Sequence, residues 1–123
     1  MLLRWYLAAK LHGIRLTDKS VQYEGSITLG REFMDAAGIA PYEAVQVVNL
    51  NTGDRLLTYA IPCERPGACI LNGAAARKGE VGDPLIVMVF AQSDTPLEPR
   101  IVVVDENNRI ARIERGPASR RQI

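Results

Sequence analysis

Hydrophobic residues along this chain occur mostly in short runs rich in Val, Ile, Leu and Tyr, and clusters of Gly, Pro, Asn and Asp separate the runs. Runs of this length and composition are typical of strands in a mainly β domain. The pattern predicts a first strand at residues 3–17, with a break near Gly13. Further strands are predicted at residues 44–49, 55–62, 69–71, 85–91, 101–104 and 110–113.

Two short helices interrupt this pattern. Residues 31–37 place three hydrophobic residues on one helical face, and Gly38, a common helix-terminating residue, follows them. Residues 74–78 are long enough for one helical turn, which Gly79 ends. The predicted fold is therefore mainly β, with one or two short helices.

The sequence contains no internal repeat and no linker, so residues 1–123 are predicted to form a single domain with a flexible tail at residues 116–123. Tight turns are predicted at residues 51–54, where Gly53 can adopt a positive φ angle, and at residues 105–108. A small barrel is the expected closure, because it removes the exposed edges of an open sheet.

Composition and charge narrow the classes of function. Hydrophobic residues make up 47% and charged residues 24% of the chain, and the net charge of +1 does not favour binding to nucleic acid or to an acidic membrane surface. The apolar run between Arg4 and Lys10 is too short for a signal peptide, and no run approaches the ~20 residues of a membrane span. Cys63 and Cys69 suggest no disulfide framework and have no usual zinc spacing. A reduced, cytoplasmic setting without a metal site is expected.

The dipeptide Gly25-Ser26 offers one distinctive reaction, although it is a weak signal alone. The serine hydroxyl can attack the preceding carbonyl and convert the amide to an ester, and glycine permits the bent geometry at least steric cost. β-Elimination then gives dehydroalanine, which hydrolyses to a pyruvoyl group. Such a ketone can form a Schiff base with an amine and accept electrons, as an added cofactor does. A serine–histidine pair would need His12, the single histidine, and no third orienting group is evident.

Several sequence blocks carry a more specific signal: KLH (10–12), YEGSI (23–27), FMDAAGI (33–39), NLNTGDRLLTYAI (49–61), ER (64–65), NGAAAR (72–77), VGD (81–83) and VVDENNRI (103–110). In this order and spacing they resemble the pyruvoyl-dependent aspartate 1-decarboxylase family, whose members make β-alanine for pantothenate biosynthesis. Three features depart from the family pattern: the segment of residues 1–9, Pro66 and Pro84. The resemblance implies a six-stranded double-psi β-barrel and a cytoplasmic homotetramer.

The resemblance also implies self-cleavage between Gly25 and Ser26. The products would be a β chain of residues 1–25 and an α chain of residues 26–123, whose first residue is a pyruvoyl group derived from Ser26. That group would form the Schiff base with L-aspartate, so neither a metal nor pyridoxal phosphate is expected. An accessory protein for maturation is left open.

Two adjacent residues receive different roles from the resemblance. Thr58 corresponds to the residue that assists cleavage and also binds substrate, and Tyr59 corresponds to the proton donor. Because they are neighbours on one predicted strand, their side chains should point to opposite faces. A bulge, different subunits or a site that spans both faces would reconcile the two roles.

Substrate binding is implied for a wider set of residues. Lys10 and Arg55 match family positions that bind the substrate, and a guanidinium can hold a carboxylate through two parallel hydrogen bonds. His12 and Tyr23 are candidates for supporting positions. The remaining substrate-binding candidates are Asn72, Gly73, Ala74 and Ala75.

Two alternatives remain open at the level of sequence. The strand–helix–strand pattern of residues 27–48 is typical of DNA-binding or antitoxin modules built on swapped hairpins, although such modules present a basic face. A relative that keeps the barrel but never cleaves is the second alternative, against which the intact Gly25-Ser26, Thr58 and Tyr59 argue.

Overall fold

The computed structural model describes residues 1–21 and 25–115, and this part of the chain contains nine strands and two short helices. The first helix, α1, is α-helical, and the second is a 3₁₀ helix. In chain order the elements are β1 (Arg4–Arg15), β2 (Asp18–Ser20), β3 (Ser26–Gly30), α1 (Arg31–Ala37), β4 (Ala44–Asn49), β5 (Arg55–Cys63), β6 (Cys69–Asn72), the 3₁₀ helix (Gly73–Lys78), β7 (Pro84–Ser93), β8 (Arg100–Val104) and β9 (Ile110–Arg115).

The mainly β class predicted from the hydrophobic pattern is confirmed, and so are the two short helices. The predicted break in the first strand is a register irregularity around Gly13. The turn glycine Gly53 has a φ angle of 79°, as expected. The predicted strands do not include β2, which has only three residues, or β3, which appears in the sequence only within the strand–helix–strand pattern of residues 27–48. The tail at 116–123 lies outside the described residues.

The strands form one sheet in the order β2-β6-β3-β5-β4-β7-β1-β8-β9. β2 lies at one edge, yet only Leu16 and Thr17 separate it from β1, the seventh strand in this order. The backbone N–H of Thr17 donates to the carbonyl oxygen of Cys69 in β6 (2.7 Å). The chain therefore joins one edge of the sheet to its far half, which is consistent with the barrel-like fold. In the described residues the sheet has nine strands, among them short edge strands such as β2, and the six strands that the resemblance implies refer to the barrel alone.

One hydrophobic core fills the inside of this curved sheet. α1 is only seven residues long, too short to be stable alone, and it is held by burial of Phe33 and Met34 in that core. Burying a large apolar side chain contributes roughly 1.5–3 kcal/mol. Gly38 ends the helix in the left-handed region (φ 74°), where its missing Cβ avoids strain. The largest fully buried side chains are Phe33, Leu11, Ile14, Leu16, Ile27, Leu29, Met34, Leu71, Leu85, Val45, Val47 and Val87.

Among the described residues, neither helix has the length and apolar character needed to cross a membrane.

Candidate active site

Ser26 is the first residue of β3, which lies between β5 and β6 in the sheet. β3 runs parallel to β5, where Ile27 pairs with Ala60, and antiparallel to β6, where Ser26 pairs with Asn72. The side chains of Ser26 and Asn72 are buried, with 1% and 6% of their surface exposed. The sheet therefore pairs Ser26 with β6 on one side and its neighbour Ile27 with β5 on the other.

The Asn72 side chain holds the serine hydroxyl. Its Nδ2 donates one hydrogen bond to Ser26 Oγ (2.9 Å) and another to Thr28 Oγ1 (2.8 Å). Thr28 and Ser26 lie two residues apart on β3, so their side chains are on the same face and one amide can reach both. Buried polar groups of this kind are stabilised only when they are bonded, so this pair of bonds orients Ser26 Oγ.

A cleft of about 780 Å³ opens beside Ser26, and we name it the Ser26 cleft. Tyr59 of β5 lines it as well. The parallel register that pairs Ile27 with Ala60 places the preceding residues, Ser26 and Tyr59, next to each other. The complete lining is Asp18, Lys19, Ser20, Ser26, Thr28, Tyr42, Tyr59, Ile61, Arg65, Ile70 and Asn72.

Eight lining residues of the Ser26 cleft were not candidates from the sequence, and three of them, Tyr42, Lys19 and Arg65, carry an aromatic or cationic side chain. The ring of Tyr42 stacks on that of Tyr59, with centroids 6.1 Å apart and planes inclined by 27°. Lys19 is paired with Glu80 (Nζ to Oε1, 3.2 Å), and Arg65 forms no ion pair among the residues that the structure describes. Arg65 belongs to the quoted ER block, which gives it no role, and the long-range packing of the fold brings all three residues to the cleft.

A second cleft, of about 290 Å³, lies beside Gly25, the residue before Ser26 in the chain, and we name it the Gly25 cleft. Thr58 lines it, as do Ala74 and Ala75 of the 3₁₀ helix and the cationic side chain of Lys78. The rest of the lining is Gly25, Leu56 and Leu57. Three of the predicted site residues, Thr58, Ala74 and Ala75, therefore meet at Gly25, and Lys78 joins them without having been predicted.

The two clefts explain how adjacent residues can serve one site. Thr58 lines the Gly25 cleft and Tyr59 lines the Ser26 cleft, as alternation along a strand requires. The bond between Gly25 and Ser26 joins the two clefts along the chain, because each residue lines a different one. This distribution matches one of the three arrangements that could reconcile the roles of Thr58 and Tyr59, a site that spans both faces.

Lys10 and Arg55 lie apart from these clefts. Lys10 is in β1, where it pairs with Met88 of β7, and β4 and β7 separate β1 from β5 in the sheet. Arg55 begins β5, four residues before Tyr59, and its side chain is exposed. Neither residue belongs to the lining of the Ser26 cleft or the Gly25 cleft.

The structure describes one of the two supporting candidates, His12, and not the other. His12 is in β1 and lines neither cleft. Burial lowers the pKa of the His12 imidazole from its usual value of 6.5, and the neighbouring charges of Lys10 and Arg112 lower it further. Tyr23 lies outside the described residues.

The two cysteines lie outside the linings of both clefts. Cys63 and Cys69 are both free thiols, and complete burial raises the pKa of Cys69 to about 12. Within residues 1–21 and 25–115, no group of three or more His, Cys, Asp or Glu side chains is placed to hold a metal ion.

Comparisons with known proteins agree on one family. The family model described as aspartate decarboxylase matches residues 2–111, which includes the N-terminal segment that departs from the quoted blocks. A protein named aspartate 1-decarboxylase from Acaryochloris marina is 50% identical over 119 residues, which covers 93% of this chain and 89% of the relative. Proteins of the same name from Salinibacter ruber (51% over 112 residues; 86% and 76%) and Pyrobaculum islandicum (44% over 110 residues; 89% and 91%) are also similar.

Proposed function

This chain belongs to the aspartate decarboxylase family, and we propose that it converts L-aspartate to β-alanine and CO₂ with a pyruvoyl group made from its own Ser26. The product would enter pantothenate biosynthesis. The observation that carries the proposal is the buried Ser26 hydroxyl, oriented by Asn72 and placed between a cleft that contains Thr58 and a cleft that contains Tyr59.

The first proposed reaction is self-cleavage. Ser26 Oγ attacks the carbonyl carbon of Gly25, a C–O bond forms and the C–N bond breaks, and the freed amine of Ser26 takes up a proton. Negative charge would develop on the oxygen of Gly25, a residue that lines the same cleft as Thr58 and Lys78. Donors and cations placed where charge develops stabilise a transition state. Asn72 contributes by holding Oγ in one rotamer.

The second step releases the chain of residues 1–25 from the rest of the protein. Loss of the Cα proton of Ser26 and cleavage of its Cβ–O bond release the Gly25 carboxylate and leave dehydroalanine. Water then replaces the nitrogen, which departs as ammonia. Lys78 remains beside the new carboxylate, and it forms no ion pair with another described residue that would compete for its charge.

The residues around Ser26 fit a pyruvoyl group. When present, its ketone supplies an electrophile for the amino group of aspartate and a sink for the electron pair released with CO₂. The Ser26 cleft, at about 780 Å³, lies within the roughly 300–1,000 Å³ of typical small-molecule sites. Tyr59 lines that cleft, and its phenol hydroxyl is the group proposed to donate a proton there.

The remaining substrate contacts support assembly into a homotetramer. Lys10 and Arg55 are cations suited to the carboxylates of aspartate, yet neither lines the Ser26 cleft or the Gly25 cleft of its own chain. We therefore assign them to the active site of a neighbouring copy. Asn72, Gly73, Ala74 and Ala75 would contact the substrate from the same chain, and a maturation protein is a further candidate partner.

Replacement of Ser26 by Ala tests the proposal directly. Ser26→Ala should leave one uncleaved chain and form no β-alanine, whereas Ser93→Ala, a matched change on β7, should cleave and decarboxylate normally. Formation of β-alanine by the Ser26→Ala variant would refute the pyruvoyl mechanism. Uncleaved wild-type protein after prolonged incubation would instead support the alternative of an inactive relative.

A further inference from the structure

Tyr42 has a backbone conformation that tyrosine rarely adopts. Its φ angle is 68°, and Asn108 is the only other non-glycine residue with a positive φ in the described part of the chain. Asparagine tolerates this region better than most residues, and the Asn108 side chain is held by long-range hydrogen bonds with the backbone of Arg15 and Gly67. A bulky aromatic residue lacks this compensation, so its surroundings must impose the conformation.

Backbone hydrogen bonds to β5 impose it. The N–H of Tyr42 donates to the carbonyl oxygen of Ala60 (2.7 Å), and the N–H of Ala60 donates to the carbonyl oxygen of Glu43 (3.1 Å). The Glu43 carboxylate accepts from the N–H of Ala40 (3.0 Å), which closes the loop. Tyr42 takes part in these bonds only through its main-chain N–H, so the same bonds would form with asparagine or glycine at this position.

The aromatic ring therefore needs a separate explanation. It is 71% exposed, so burial does not account for it. Its contact is the ring of Tyr59, with centroids 6.1 Å apart and planes inclined by 27°, and both rings line the Ser26 cleft. Stacked aromatic pairs at this distance attract each other, and the contact restricts the orientations that Tyr59 can adopt.

We infer that Tyr42 is a positioning residue for Tyr59: its strained backbone holds an aromatic ring against the phenol that donates a proton at the Ser26 position. The inference rests on the proposed role of Tyr59. Its physical basis is that a proton donor must keep hydrogen-bond distance to the reacting carbon, and small displacements in an active site cost much rate. Tyr42 would act on turnover and leave self-cleavage intact, because it lines the Ser26 cleft and not the Gly25 cleft.

The test uses two replacements of Tyr42 in the full-length enzyme. Tyr42→Asn keeps a residue that accepts a positive φ angle but removes the ring, whereas Tyr42→Phe keeps the ring and removes the hydroxyl. For Tyr42→Asn we expect complete self-cleavage, an unchanged or higher melting temperature, and a fall in kcat of about ten- to a hundredfold with little change in KM. For Tyr42→Phe we expect kcat within about twofold of the wild type.

The outcomes separate a positioning role from a merely structural one. A fall in both kcat and melting temperature for Tyr42→Asn, or a wild-type kcat, would overturn the inference. Tyr59→Phe provides the reference for the proposed function. If Tyr59→Phe is inactive and Tyr42→Asn is fully active, the inference alone fails; if Tyr59→Phe keeps its kcat, the proton-donor role fails and Tyr42 has nothing to position.

Discussion

Replacement of Asn72 by Ala should lower both the stability of the protein and the rate of self-cleavage. Its amide is buried and donates to Ser26 Oγ at 2.9 Å and to Thr28 Oγ1 at 2.8 Å. Asn72→Ala deletes both bonds. At about 1 kcal/mol net for each bond, the free energy of unfolding should fall by about 2 kcal/mol. With about 2.1 cal/mol/K of unfolding entropy per residue, the 123 residues give about 0.26 kcal/mol/K, so the melting temperature should fall by about 8 °C.

The same substitution should slow cleavage. Ser26 Oγ loses the donor that fixes its rotamer, and about 1 kcal/mol of lost orientation corresponds to a rate about fivefold lower. Intact-mass measurements over time, at a temperature below both melting transitions, give the rate of cleavage. Circular dichroism during heating gives the melting temperature.

Asn108→Gly is the matched control, because it deletes another buried amide while glycine accepts the φ angle of 56°. It removes hydrogen bonds to the carbonyl oxygens of Arg15 (2.8 Å) and Gly67 (3.0 Å). We expect a lower melting temperature and a normal cleavage rate. Wild-type cleavage by Asn72→Ala, or equal slowing by Asn108→Gly, would refute the reasoning.

Three further predictions follow from single side chains. Lys78→Met should slow self-cleavage several-fold and Lys78→Arg should restore it, whereas Arg77→Met, the neighbouring change outside the Gly25 cleft, should have no effect in the same mass assay. Burial and nearby cations lower the pKa of His12 below 6.5, so folding favours the neutral imidazole; its contribution to stability is complete above pH 6.5 and is lost as the pH falls below that value. His12→Gln should therefore lose less stability than the wild type between pH 7.5 and 5.5 in denaturant titrations, and an equal loss would contradict this. In the native protein a thiol reagent should modify Cys63 and spare Cys69, whose pKa is raised to about 12, and unfolding should expose the second thiol; rapid modification of both would contradict the burial.

The fold was largely predictable because the signals for most elements are local. α1 is a short amphipathic segment ended by Gly38, and β4 and β5 are apolar runs on either side of a turn at Gly53. β2 was missed because three polar residues carry no hydrophobic period, and only pairing with β6 makes them a strand. Strand pairing also sets the order of the sheet, which no local pattern contains.

In the candidate site too, some residues could be predicted from local sequence, whereas others depend on long-range packing. Gly25 and Ser26 are conspicuous through the chemistry of the bond between them, and the family blocks added Thr58 and Tyr59. Their distribution over two clefts depends on the register between β3 and β5, which is a long-range property. Tyr42 could not be predicted, because the signal is a φ angle and a ring contact across two elements.

The mass of the purified protein tests the central claim most directly. Cleavage after Gly25 should give a chain of residues 1–25 and a chain of residues 26–123, and the longer chain should be lighter than a serine-terminated fragment by one ammonia and resist Edman degradation. Treatment with a reducing agent and L-aspartate should trap the substrate on that longer chain. A single species of 123 residues with an intact Ser26, together with β-alanine formation, would contradict the account.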